Sequence, residues 1–305
     1  MKSLSDRLIV RSLFALAIIS PLLADPFFFS TGDPDGKMAT GSRPSSAGKI
    51  EIESADDFAL TQGVSLTGAT FTGLIPTGAS LASINNVTVE IYRVFPNDSD
   101  VVRTSGAPTF STDRVPTRVN SPSDVAFDSR EAGAGNLTFT PGVINSSFTT
   151  FNSVLNGIHP KPNQTTGGDG PVTGQEVSFD IQFTTPIDLP ADHYFFVPQV
   201  KLDNGDFFWL SAPKPIVPPG TPFAPGAPDL QSWIRNENLD PDWLRVGADI
   251  GGGQPAPTFN ATFSLSGIVQ ENDTIPDGGT TAELAEIAVL CLAVVGRPVR
   301  NQNKL

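Results

Sequence analysis

Val177-Ser178-Phe179-Asp180-Ile181-Gln182-Phe183 puts an apolar side chain at every second position and a polar one between. Successive side chains of an extended strand point to opposite faces, so this stretch reads as a strand with one buried and one wet face. The alternation recurs in Val87, Val89 and Ile91, in Phe259, Ala261, Phe263 and Leu265, in Val64 and Leu66 leading to Phe71, and in Ile50 and Ile52. The 305 residues also carry 28 glycines and 28 prolines, scattered as turn formers, and no long 3.6-residue period. Together these features predict an all-β fold, an antiparallel β-sandwich of jelly-roll-like type with long irregular loops.

Local signals refine that expectation. Asn204-Gly205, between alternating runs at 194–202 and 206–210, is the pair most suited to a two-residue type I′ hairpin, since both residues tolerate positive φ. Pro198 in the first run has no N–H to give a ladder, which predicts an edge strand or a bulge there. Phe148, Phe151, Leu155 and Ile158 have helical spacing, and Asp229 is placed to cap a short helix over 229–236. Residues 99–135 form a polar, turn-rich insertion, and 213–228 hold seven prolines in sixteen residues, which predicts an extended surface segment.

Charge narrows the partners. The formal net charge is −13. Such a body is repelled by nucleic-acid phosphates and has no Lys/Arg stripe to overcome the repulsion, so no nucleic-acid partner is expected. The one cysteine, Cys291, lies near the C-terminus, so no disulfide can staple the body.

Both ends carry the features of export. Lys2, Arg7 and Arg11 precede an apolar run around Leu13 to Leu23, and the small Ala24 stands before Asp25-Pro26. These are the three regions of a secretory signal peptide over 1–24, too short and too proline-broken to remain as a span. At the other end Ile275-Pro276-Asp277-Gly278-Gly279-Thr280-Thr281 precedes an apolar stretch, Ile287 to Gly296, followed by Arg297, Arg300 and Lys304. Ten residues rise only about 15 Å as a helix, roughly half a bilayer core, and the cations favour a cytoplasmic C-terminus. The spacing of Leu284, Ile287, Ala288 and Cys291 also fits one face of a helix packed on the body. The chain thus divides into a leader (1–24), a β-sandwich domain (25–272) and a C-terminal tail (273–305).

The tail resembles the sorting signals of the PEP-CTERM class, in the variant whose signature is Val-Pro-Asp-Ser-Gly. Pro276, Asp277 and Gly279 match that motif, while Ile275 stands for Val, Gly278 for Ser, and Glu283 and Glu286 interrupt the apolar segment. The resemblance implies recognition by an exosortase-type membrane peptidase, transient attachment to the inner membrane, and delivery to the surface or medium of a Gram-negative-type bacterium. A GPI-type signal is the rival reading, and the basic end argues against it. Ala55-Asp56-Asp57-Phe58 with Ala69-Thr70-Phe71-Thr72-Gly73 and Val89-Glu90-Ile91-Tyr92 also resembles uncharacterised secreted bacterial β-sandwich proteins bearing such tails.

Chemistry is thinly signalled. The histidines, His159 and His193, sit in no triad pattern, and neither a nucleophile elbow nor a zinc-binding H-E-x-x-H is present. Gly251-Gly252-Gly253 runs into Gln254-Pro255, a turn and not a phosphate cradle, so no nucleotide cofactor is expected. Asp56 with Asp57, Asp203 with Asp206, and Asp240 with Asp242 read as turn and surface charge, though paired carboxylates are also what a glycosidase uses. Asp33, Asp35, Asp203 and Asp206 are the acidic loop residues that can supply oxygens to calcium, the one metal the sequence suggests. Trp209, Trp233 and Trp243 are the candidates for stacking on an extracellular polysaccharide. The expectation is an exported, non-enzymatic protein of the cell surface or extracellular matrix, structural or glycan-contacting, with a secreted carbohydrate-active enzyme as the alternative.

Overall fold

In a computed structural model the structure describes residues 25–104, 115, 119–158, 165–213 and 228–270. The leader, the tail with Pro276, Asp277 and Gly279, His159, Cys291 and most of the proline-rich segment lie outside the described residues. The chain begins with strands β1 (Pro26–Ser30), β2 (Met38–Gly41), β3 (Ile52–Ala59), β4 (Val64–Pro76) and β5 (Ile84–Arg93). It continues through β6 (Asp128–Glu131), β7 (Leu137–Thr150), β8 (Asn152–Val154), β9 (Val172–Leu189) and β10 (His193–Leu202). The last five are β11 (Phe208–Ala212), β12 (Trp233–Asn236), β13 (Leu244–Arg245), β14 (Asn260–Ala261) and β15 (Phe263–Val269).

These strands form two sheets, antiparallel except where β2 pairs β8, and neither closes into a barrel. The all-β sandwich-like architecture read from the alternation is therefore the observed one. In the nine-stranded sheet β9 flanks β4 along its whole length, and β7 pairs with β9. On the other side of β4, β15 covers Val64 to Phe71 and β11 takes over at Gly73 and Leu74. Across the first of these levels the order is β1, β15, β4, β9, β7. The six-stranded sheet has the order β13-β12-β3-β10-β5-β6.

Aromatic rings fill the space between the sheets. Phe71 stacks on Phe179 at 4.7 Å between centroids, and Phe196 stacks on Phe263 at 5.0 Å. Phe207 meets both Phe71 and Phe179 edge-on, an arrangement the ring quadrupoles favour. Gly73 on β4 is what admits the Phe207 ring, because a Cβ there would lie 2.1 Å from two of its carbons and 2.7 Å from the Phe208 carbonyl oxygen. Gly73→Ala is expected to lower stability by about 1–3 kcal/mol, the usual cost of overpacking a tight core. A thermal melt within error of the wild type would contradict this packing.

Three sequence expectations are corrected. Residues 203–207 do not form a two-residue hairpin, because β10 belongs to the six-stranded sheet and β11 to the nine-stranded one. The turn chemistry holds, with Gly205 at φ 89°, but the partner is set by packing: Phe207 and Trp209 enter the inter-sheet core and Phe208 a second cluster. Phe148 falls on β7, Phe151 follows it and Leu155 succeeds β8, so no helix forms there. Residues 233–236 are strand β12, seated against β3 by the register Trp233↔Ala55 to Asn236↔Ile52. Pro198 fits the local rule in an internal strand: β3 pairs β10 only from His193 to Phe196, so Pro198 lies where β10 keeps one ladder neighbour, β5.

Candidate functional site

The polar chemistry of the body gathers on β3, and it does so inside the protein. All eight residues of β3 are buried, including Glu53, Asp56 and Asp57. Alternation sends Asp56 toward the nine-stranded sheet with Phe58, and Glu53 and Asp57 to the outer face of their own sheet. That outer face is roofed by Leu230, Trp233 and Trp243, which pack on Ala55, Tyr92, Phe195 and Val197.

At one end of β3, Asp56 accepts hydrogen bonds from Ser232 Oγ at 3.0 Å and the Ala261 N–H at 2.9 Å. Burial, then the adjacent Asp57 charge, holds its carboxyl well above the usual carboxylate range. Asp57 accepts the Leu230 N–H at 3.0 Å and meets His193 Nε2 at 2.6 Å. Burial raises Asp57 as well, and the bond to His193 pulls the other way. These bonds tie β3 to the 229–232 segment and to β14. The reading of Asp56 and Asp57 as surface charge is thus wrong: an aspartate pair inside a strand lacks propensity for that site and is kept there by donors.

The second group is the larger one. Arg235 on β12 lies opposite Glu53 in the register, and its Nε donates to Glu53 Oε2. Its Nη2 donates to the Tyr92 hydroxyl at 3.0 Å, its Nη1 pairs with Asp240 at 2.9 Å, and its guanidinium carbon sits 4.3 Å over the Trp243 ring. Burial opposes the Arg235 charge, but Glu53 overrides it and holds the guanidinium above its ordinary range. The Tyr92 oxygen is 2.9 Å from Glu53 Oε1 and 3.0 Å from Glu90 Oε2. A tyrosine has one proton, so it can serve one of these carboxylates at a time. Burial, then the Glu53 charge, pushes Glu90 from 4.5 to about 7, so it keeps its proton through mildly acidic pH and gives it up around neutrality. Glu51, held by Gln199 Nε2 at 2.9 Å, is also raised, by burial and then by Glu53.

The candidates from sequence fall elsewhere. Trp209, Trp233 and Trp243 are 1%, 4% and 1% exposed, with no ring face free for a sugar. Their indole N–H groups donate to the carbonyls of Thr262, Leu230 and Ser123 at 2.8, 3.0 and 3.1 Å. The stacking expectation is corrected accordingly: their apolar area is worth more in the core than on the surface. Trp233 and Trp243 instead face Arg245 and Arg235 across the β12–β13 pair, a reciprocal cation–π arrangement.

The four acidic loop residues are not brought together. Asp35 accepts Ser211 Oγ at 2.5 Å and pairs with Lys37 at 3.0 Å, while Asp206 pairs with Arg43 and Lys49, each at 2.8 Å. Asp203 accepts Asn85 Nδ2 at 2.9 Å, and Asp33 lies close enough to Glu176 for its charge to raise that carboxyl, after burial. Among the described residues no group of three or more His, Cys, Asp or Glu converges as a metal ion would require. A cavity of about 10 Å³, room for one water, is lined by Thr40, Ser211, Ser232 and Asn260 with apolar neighbours.

The cluster on β3, β5 and β12 is the part that sequence reading missed. Glu53, Glu90, Tyr92 and Arg235 are spread over 183 positions of sequence and become neighbours only through the strand order. Comparison with known proteins adds no assignment: no family model, no curated protein and no solved structure matches the chain.

Proposed function

We propose that this chain is an exported bacterial protein of the cell surface or extracellular matrix, a non-enzymatic structural β-sandwich delivered by an exosortase-type system. The observation that carries the reading is the order of Pro276, Asp277 and Gly279, an uncharged run from Ile287 to Gly296, and the cations Arg297, Arg300 and Lys304. The folded body is compatible with removal of both ends. Val269 N–H donates to the Asp25 carbonyl at 2.8 Å, so the two ends of the described body lie side by side at one corner.

The carboxylate cluster supports a structural role over the alternative of a carbohydrate-active enzyme. A glycosidase holds two carboxyls several ångströms apart with the sugar between them. Here the Tyr92 hydroxyl fills that place, within 3.0 Å of both Glu53 and Glu90, and Trp243 closes the side over Arg235. Intact-mass analysis of protein released by a host with an exosortase is expected to show neither residues 1–24 nor Arg297 to Leu305. Released material that retains Arg297 to Leu305 would refute the sorting step.

A further inference from the structure

The corner where both ends leave the body has an unusual surface. β1 and β15 are paired with Pro26 opposite Ile268 and Phe28 opposite Ser266. Phe29, next to Phe28, is buried in the inter-sheet core, so alternation turns Phe28 and Pro26 outward. Ile268 lies opposite Ser65 on β4 and faces outward with them. Phe28 is 71% exposed and Ile268 43%. Exposed apolar residues that adjoin one another mark contact surfaces more often than single ones do.

What covers them follows from where the chain goes next. Residues 271–286, sixteen in all, join Gln270 to the uncharged segment that begins at Ile287. A tether of this length holds the corner near whatever the segment enters, at an effective concentration on the order of millimolar, so a weak apolar contact is enough to orient the body. We infer that, while the tail is inserted, the corner formed by Pro26, Phe28 and Ile268 rests on the bilayer surface. The inference depends on the tail being a membrane segment, as proposed above, and adds how the body sits on the membrane. The orientation leaves the far edge strand β7, with Val143 and Ile144 45% and 57% exposed, turned away from the lipid.

The test uses the chain without its leader, residues 25–305, with Phe28→Trp or Ile144→Trp, mixed with zwitterionic phosphatidylcholine vesicles, because the acidic body would be repelled by anionic lipid. Half of the lipid carries bromine on its acyl chains, which quenches indole on contact. The three native tryptophans are buried and give a constant background. Both new sites are exposed, so neither substitution disturbs the core. In a chain that floats with the vesicles, emission from position 28 is expected to be lost on brominated lipid and that from position 144 to be unchanged. A floating chain quenched at neither position, or equally at both, would overturn the orientation while leaving the tail a membrane segment. A chain that does not float would overturn both.

Discussion

Arg235→Met is expected to lower the stability of the body by about 3–5 kcal/mol, the range found when one partner of a buried ion pair is removed. Met fills much of the volume and keeps contact with Trp243, so the loss isolates charge and hydrogen bonding. Three groups are left short: Glu53, 5% exposed, loses its cation; the Tyr92 oxygen loses a donor; and Asp240 loses its partner. Removing Glu53 together with Arg235 takes away the stranded charge, so Glu53→Gln/Arg235→Met is expected to be more stable than Arg235→Met alone. Urea unfolding followed by tryptophan emission measures both. An Arg235→Met protein within about 1 kcal/mol of wild type would mean that the guanidinium is not what seats β12 on β3.

The contrast between the strands and this cluster explains what the sequence disclosed. Val177 to Phe183 announced itself because period-two burial is a local property, legible in seven residues without knowledge of the partner. The same holds for Val87, Val89 and Ile91 and for Phe263 and Leu265, all of which fill the core as the alternation implies. β3 breaks the rule: its two faces are both covered, so polar residues at Glu53, Asp56 and Asp57 are buried with their apolar neighbours and alternation carries no signal. One local clue existed in retrospect, since Asp is depleted in strands, and two in succession between Ala55 and Phe58 require buried donors or a strand end. The donors, Ser232, Ala261 and His193, are more than 130 residues away in the chain, and no local reading supplies them.

Turn and pairing separate in the same way at 203–207. Gly205 takes the positive φ that its local sequence suggests, yet the strands on either side enter different sheets. Lys49 explains part of this from outside the segment, bonding the Gly205 carbonyl at 2.6 Å and Asp206 at 2.8 Å, while Arg43 holds the same carboxylate. The tryptophans show the complementary limit. Composition marks them as large and amphipathic, which fits both a sugar platform and a core anchor, and only the positions of the Thr262, Leu230 and Ser123 carbonyls decide between the two.

Glu90→Gln is expected to make the protein more stable than wild type at pH 8 and to change it by less than about 1 kcal/mol at pH 5. The folded carboxyl titrates at about 7 and the unfolded one near 4.5, so between these values the folded state binds the extra proton. Stability therefore falls as pH rises through that window, is highest below it, and levels off above about 7. The full shift corresponds to a cost of about 3 kcal/mol above the window, borne when Glu90 ionises in a buried place beside Glu53. The amide introduced by Glu90→Gln cannot ionise, and it can still accept the Tyr92 hydroxyl and donate toward Glu53, which preserves the geometry that the proton maintains in the wild type. Glu51, Asp56 and Asp57 are raised too and remain in the variant, so its stability still declines with pH, but less steeply. The deciding quantity is the difference between the two proteins: urea midpoints at pH 5 and pH 8 should diverge in favour of the variant at the higher pH. Parallel curves would show that Glu90 is ionised throughout and that the pair with Glu53 holds no proton.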